Sequence, residues 1–232
     1  MERILIGSWR RFHRTGSLPS GVTPLGSVLS RTFSLISAAM PFLRSVVFIL
    51  AATGLPSVTG AQTAPSVTDQ IAAAVLPLPP QMRDGARVLG YRGGASLSVI
   101  REGSGMVCLA SDPAGERFHV ACYHESMEPF MARGRALRAA GTKGAEVDSV
   151  RFREAKNGAL KLPEHPAALY SMTGGAFDPK TKTAPGAQHL YVVYIPYATG
   201  ATTGLPERPV GSQPWLMFPG TPKAHIMFTT GM

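Results

Sequence analysis

Short apolar runs alternate with turn residues along most of the chain beyond residue 80. Four such runs follow one another at 86–91, 96–101, 106–111 and 117–124, and turns rich in Gly or Pro separate them. Runs of this length that end at turn residues are typical of β-strands. We therefore expect a four-strand antiparallel meander over the first half of this region.

The spacing of apolar residues changes from strand-like to helical after the fourth run. Apolar side chains recur at intervals of three and four residues, at Met127, Phe130, Met131, Leu137 and Ala140. Ser126 is expected to cap this helix, Glu128 complements the helix dipole, and Gly141 is suited to end the helix. A weaker helical pattern at 146–157 predicts a second helix, so that the two would form a pair.

Strand patterns return in the last third of the chain. The runs lie at 167–172, 189–197, 215–218 and 224–229. The run at 189–197 is almost continuously apolar and aromatic, which predicts burial on both faces, with Tyr191 and its other tyrosines packed in the sheet. The last two runs predict a C-terminal hairpin, and a long loop at 198–214 precedes it.

Residues 62–80 predict a helix followed by a proline-rich link. Ser66 or Thr68 is placed to cap this helix, and three prolines between residues 77 and 80 end it. A meander, a helix pair and further strands together predict an α+β fold with an antiparallel sheet, which could curl into a barrel-like form. Residues 81–232 are expected to form a single α+β domain.

Residues 40–61 combine the three parts of a secretory signal peptide. Arg44 supplies a positive charge, residues 45–55 form an apolar run of eleven residues, and small residues lead to Ala61. Cleavage between Ala61 and Gln62 would leave small residues at the −1 and −3 positions. A membrane-spanning helix needs about 20 residues, so we expect an exported, periplasmic or extracellular protein that meets the membrane only during export.

The stretch before this signal has a different composition. Residues 1–39 hold five arginines and one acid, with no sustained apolar period. They predict an unstructured stretch, or an extension upstream of a true translation start at Met40. An organelle transit peptide is an alternative, since such peptides are also rich in Arg and Ser. The Arg10-Arg11 pair allows a twin-arginine export signal as a further alternative.

The charge of the protein depends on whether this leader is retained. The formal charge is +9 for the whole sequence, but 17 basic and 13 acidic residues remain after residue 61, which leaves +4. A protein that binds nucleic acid is expected to concentrate basic residues on one face or one helix. The small surplus here therefore argues against nucleic acid as a partner.

Cys108 and Cys122 are the only cysteines of the sequence, and they lie on adjacent predicted strands. A turn centred on Gly115 would place them directly opposite each other, with Met106 opposite His124. Directly opposed Cβ atoms lie roughly 5 Å apart, which permits a disulfide after a small adjustment. In an oxidising compartment a structural disulfide is expected; buried thiols, a reactive thiol and metal ligation are the alternatives.

One group of histidines and acids predicts a metal site. His124 lies where a strand meets a helix, Glu128 follows four residues later, and His225 lies on the last predicted strand. Convergence of these three residues would supply zinc ligands or a general base. No HExxH, HxH or CxxC spacing supports the site, so half-buried histidines with ordinary hydrogen bonds are the alternative.

Three arginines of the first predicted helix are candidates for anion binding. Arg133, Arg135 and Arg138 project from the less apolar side of the helix and could hold a phosphate or a carboxylate. A solvated helix face is the alternative. The glycines near residues 93 and 103 belong to no dinucleotide- or triphosphate-binding pattern.

The order of a small meander and an Arg-rich helix between residues 86 and 141 is similar to that of flavin-binding split barrels. The similarity is confined to element order and therefore implies no site residues. The leading hypothesis is an exported domain that binds a small molecule or a metal ion. The alternatives are an extracytoplasmic enzyme, either a His/Glu hydrolase or a flavin-type split barrel, and a structural or protein-interaction domain that uses the loop at 198–214.

Overall fold

The computed structural model describes residues 65–229. Their strands are β1 (Arg87–Tyr91), β2 (Leu97–Arg101), β3 (Met106–Leu109), β4 (His119–His124), β5 (Ala167–Thr173), β6 (Gln188–Tyr194), β7 (Trp215–Met217) and β8 (His225–Thr229). Their helices are α1 (Val67–Ala74), α2 (Pro80–Arg83), α3 (Glu128–Ala139), α4 (Ala145–Lys156) and α5 (Gly200–Thr203), and a 3-10 turn (Glu125–Met127) precedes α3. The predicted signal peptide and the extension before it lie outside the described residues.

All eight strands belong to one sheet in the order β2-β1-β3-β4-β5-β6-β8-β7. Neighbouring strands are antiparallel except β1 and β3, which run parallel. The predicted α+β class and antiparallel sheet are therefore confirmed. Strands β2 and β7 remain as the two edges, so the sheet is open and the barrel-like form was a wrong expectation.

The first four strands form where they were predicted, but they do not form a simple meander. β1 lies between β2 and β3, and the chain crosses the start of β1 on its way from β2 to β3. Gly103 makes this crossing, where a Cβ atom would lie 2.3 Å from the carbonyl oxygen of Gly85. A run pattern indicates strands but not their lateral order, and only the close approach at Gly103 permits this order.

The predicted register of β3 and β4 is confirmed. Met106 pairs with His124 and Cys108 pairs with Cys122. The two cysteines form a disulfide, with their Cα atoms 4.0 Å apart. The bond is compatible with an oxidising, exported location, and both cysteines are fully buried.

Helix α1 and the link after it cover one face of the sheet, here called the α1 face. Ser66 caps α1 by accepting a hydrogen bond from the backbone N–H of Asp69, as the sequence predicts. A core cluster joins Ala74, Val75 and Leu78 to the disulfide and to Val88 and Met106. Apolar burial of this kind is the main stabilising contribution to such a fold.

Helices α3 and α4 lie over the opposite face, here called the α3 face, and confirm the predicted pair. Gly141 follows α3 with φ +90°, in the left-handed region expected of a terminating glycine. The predicted cap, Ser126, does not cap this segment. His124 is the N-cap instead, and its side chain accepts a hydrogen bond from the backbone N–H of Ser126.

Strand β6 is buried on one face only, which corrects the expectation of burial on both faces. Leu190, Val192 and Tyr194 are buried on the α3 face, while His189 is exposed and Tyr191 is half-buried on the α1 face. The predicted C-terminal hairpin is confirmed by the antiparallel pairing of β7 with β8. None of the helices within residues 65–229 is long and apolar enough to cross a membrane.

Candidate functional site

An open cleft of about 310 Å³ lies on the α1 face, where the proline-rich link passes over β5 and β6. Its wall is formed by Leu76, Pro77, Leu78, Pro79 and Arg83, and its floor by Tyr170, His189 and Tyr191. Its volume falls at the lower end of the range of roughly 300–1,000 Å³ that is usual for small-molecule sites. The lining is mostly apolar and aromatic, with a few polar groups, as such sites require.

The floor of the cleft follows from the register of β5 and β6. Tyr170 pairs directly with Tyr191, and their rings meet edge to face with centroids 5.8 Å apart. His189 lies two residues from Tyr191, hence on the same face, and its ring centroid is 6.0 Å from that of Tyr191. The three rings form a continuous aromatic surface open to solvent on one side.

The wall of the cleft depends on the docking of α1. The side-chain amide of Gln70 donates to the carbonyl oxygen of Tyr91 (3.0 Å) and accepts from its backbone N–H (2.8 Å). Lys182, from the loop between β5 and β6, donates to Asp69 at 2.6 Å. These two contacts hold α1 on the sheet, and the prolines that follow direct the link over Tyr170.

Arg83, at the end of α2, binds the backbone of the link at two points. Its Nε donates to the carbonyl oxygen of Leu78 (2.9 Å) and its Nη2 donates to that of Leu76 (3.0 Å). The guanidinium therefore donates to two backbone carbonyl oxygens in a segment whose prolines have no N–H to donate. It also contributes a permanent positive charge to the cleft.

A separate polar cluster lies under α3, on the opposite face. The hydroxyl of Tyr123 donates to Glu128 (2.5 Å) and accepts from Arg135 (2.7 Å), while Arg135 also donates to Glu128 at 2.6 Å. Burial raises the pKa of the Tyr123 hydroxyl well above its usual range. Burial lowers the pKa of Arg135, but the contacts with Tyr123 and Glu128 raise it by more, so the pKa of Arg135 lies above its usual value. The three groups satisfy one another and join α3 to the end of β4.

A second polar cluster joins α4 to the start of β8. Asp148 accepts hydrogen bonds from Arg151 and from Lys223, the latter at 3.1 Å. Arg151 is fully buried, with its guanidinium carbon 4.1 Å from the ring centroid of Phe130. Like the cluster under α3, this arrangement pairs its buried or partly buried cations with a carboxylate, as buried charges require.

The three residues predicted to bind metal each have their own partner. His124 is exposed and its Nδ1 lies 2.9 Å from the hydroxyl of Ser126. Glu128 belongs to the cluster with Tyr123, and His225 is buried on the other end of the sheet, with its Nδ1 2.6 Å from the carbonyl oxygen of Lys223. Within residues 65–229, no three His, Cys, Asp or Glu side chains are grouped as metal ligands.

The arginines predicted to bind an anion are also engaged within the protein. Arg133 forms a two-bond ion pair with Glu154, with N–O distances of 2.6 and 2.8 Å. Arg135 is held by Glu128 and Tyr123, and one terminal nitrogen of Arg138 comes within 3.2 Å of the position a Cβ atom would take on Gly134. Anion binding at these three residues stays a prediction.

Sequence reasoning did not identify the cleft, because its two sides are far apart along the chain. The sequence assigns Tyr191 to sheet packing and His189 to ordinary hydrogen bonding, and it gives Arg83 and Tyr170 no binding role. The alternation of β6 was the available signal, since His189 and Tyr191 share one face while Leu190 and Val192 share the other. The position of the link over Tyr170 could not be inferred from that pattern.

The chain matches no protein family model, no curated protein sequence and no solved structure. Its own side chains are therefore the basis for a functional proposal.

Proposed function

We propose that this protein is an exported domain that binds a small, flat and largely apolar molecule in the cleft between the proline-rich link and strands β5 and β6. The observation that carries the proposal is the aromatic floor of Tyr170, Tyr191 and His189. Half-exposed aromatic rings held rigidly on a sheet are suited to stack against or enclose a flat ligand.

The wall of the cleft supports the same proposal. Leu76, Pro77 and Pro79 present apolar surface toward the floor, and proline rings lose little conformational freedom when a ligand binds. The wall is also held in position before any ligand arrives, through Gln70 and Arg83. A preformed site avoids the ordering cost that otherwise weakens binding.

An exported location fits this function and is part of the proposal. The signal pattern at residues 40–61 predicts secretion into the periplasm or the extracellular space, with Gln62 as the new N-terminus. The disulfide supports an oxidising compartment, because such bonds persist there and are rare in the cytosol.

The other hypotheses have less support from the described residues. A metal site or a hydrolase at His124 and Glu128 would need both groups to release their present partners, Ser126 and the Tyr123–Arg135 pair. A flavin-type split barrel would need a closed barrel, whereas this sheet has two edges. An interaction role for the loop at 198–214 has no specific feature in its favour.

The proposal is tested with N-phenyl-1-naphthylamine, a neutral probe whose fluorescence rises in an apolar site. The protein purified from expression of the full sequence is titrated with the probe, and so are Tyr191→Ala and a control, Tyr197→Ala. Tyr197 is 48% exposed and does not line the cleft. We expect saturable binding that weakens by at least about tenfold in Tyr191→Ala, since a buried aromatic contact contributes on the order of 1.5–3 kcal/mol.

The two variants separate binding in the cleft from general attachment to apolar surface. An unchanged affinity in Tyr191→Ala, or an equal loss in Tyr197→Ala, would contradict the proposal. Circular dichroism of each variant checks that the fold is retained.

A further inference from the structure

The guanidinium of Arg83 is fixed at the cleft and has donor capacity left over. Its Nε and Nη2 are used by the carbonyl oxygens of Leu78 and Leu76. Its Nη1 makes no hydrogen bond to any group between residues 65 and 229. A guanidinium held in this way loses little side-chain freedom when it binds one more acceptor.

The charges around the cleft are one-sided. Of the eight residues that line it, Arg83 carries a positive charge and none carries a carboxylate. Within residues 65–229, the guanidinium of Arg83 is met by neutral carbonyl oxygens only, and the residue is half-buried. The remaining positive potential complements an anionic group on the ligand.

We propose that the ligand of the cleft is a small carboxylate with a flat apolar body, and that Arg83 binds its carboxylate through Nη1. This inference rests on the proposed function and names the ligand class for the same site. The body of the ligand lies against Tyr170 and Tyr191, while its carboxylate reaches the guanidinium of Arg83. A charge-assisted hydrogen bond from a guanidinium to a carboxylate is stronger than one between neutral groups.

The size of the cleft limits the ligand further. A volume of about 310 Å³ accommodates a two-ring aromatic acid. A ligand larger than this volume would extend out of the cleft into solvent. A compact acid is therefore the matching class.

The test compares two ligands that differ only in charge. Isothermal titration calorimetry measures 2-naphthoate and the neutral 2-naphthalenemethanol against the protein purified from the full sequence. We expect the acid to bind at least about tenfold more tightly, because a hydrogen bond to a charged group contributes more than one between neutral groups. The same pair is measured with Arg83→Met, which keeps an apolar stem, and with Arg92→Met, a control at an exposed turn.

In Arg83→Met the preference for the acid should disappear, whereas in Arg92→Met it should remain. A preference that survives in Arg83→Met would overturn the assignment of Arg83. Equal affinities for acid and alcohol in the unmodified protein would overturn the carboxylate inference and leave the proposed function intact. Binding of neither ligand would overturn both.

Arg83→Met also removes two contacts to the link and could weaken the wall of the cleft itself. A second measurement covers that case. The affinity of the unmodified protein for 2-naphthoate should fall between about 0.05 M and about 0.5 M salt, while that for the alcohol should not, because salt screens charge interactions at partly exposed sites. An acid affinity that is insensitive to salt would contradict the role of Arg83.

Discussion

The side-chain amide of Gln70 pairs with both backbone groups of Tyr91, at the end of strand β1. The amide nitrogen donates to the Tyr91 carbonyl oxygen and the amide oxygen accepts from its backbone N–H. Gln70 thereby acts in place of a further strand residue and fixes α1 to the sheet. Because α1 leads directly into the link, this contact also positions the wall of the cleft.

We expect Gln70→Ala to destabilise the protein by about 2–4 kcal/mol, because the buried backbone groups of Tyr91 would lose their partners. The measurement is the free energy of unfolding from urea denaturation. Gln81→Ala is the matched control, since Gln81 is exposed on α2, and it should change this free energy by less than about 0.5 kcal/mol. Equal effects of the two variants would show that the Gln70–Tyr91 contact does not support the fold.

Gly103 permits the crossing that sets the order of the first three strands. A side chain at this position would meet the backbone of Gly85 and Ala86 at 2.3 to 2.5 Å. Gly103→Ala should therefore cost at least about 2 kcal/mol, as other insertions into close-packed backbone do. At Gly94, where a Cβ atom would meet nothing within 4 Å, the same substitution should be tolerated. Comparable thermal melting temperatures for the two variants would argue against the crossing.

The positions of the strands and the register of one strand pair could be predicted from the sequence, but the lateral order of the strands in the sheet could not. The Cys108–Cys122 register could be predicted because a short turn relates two neighbouring runs by simple symmetry. The position of β1 between β2 and β3 depends on a backbone approach at Gly103, which no periodic pattern records. The cleft is lined by residues about 100 positions apart along the chain, such as Leu76 together with Tyr170 and Tyr191, and this juxtaposition could not be predicted from a periodic pattern either.

Two arginines of α3 are expected to differ in their contribution to stability. Arg135→Met should cost about 2–3 kcal/mol, because Glu128 and the buried hydroxyl of Tyr123 would lose a donor. Arg133→Met removes an ion pair whose side chains are 38% and 24% exposed, and solvent screening makes such pairs weak. Urea denaturation of both variants should show the larger loss for Arg135. The reverse order would mean that the cluster with Tyr123 does not hold α3 on the sheet.

The disulfide gives a combined test of bond and compartment. After expression in a bacterium with a functional export pathway, the periplasmic form should begin at Gln62, and reduction should add the mass of two hydrogens.

Because both cysteines are fully buried under α1, thiol reagents should label the reduced protein only after unfolding. Replacing both cysteines by alanine should lower the free energy of unfolding by about 3 kcal/mol. A cytosolic protein with two free thiols would refute the export proposal.

The central claim is that a small ligand binds between the proline-rich link and the aromatic floor of β5 and β6. Titration of isotope-labelled protein with 2-naphthoate, followed by two-dimensional NMR, tests it most directly. The proposal predicts saturable shifts confined to the cleft, with the largest at Leu76, Leu78, Tyr170, His189 and Tyr191, and with Tyr123 and Arg135 on the opposite face unaffected. Shifts centred on the α3 face, or none at millimolar ligand, would contradict it.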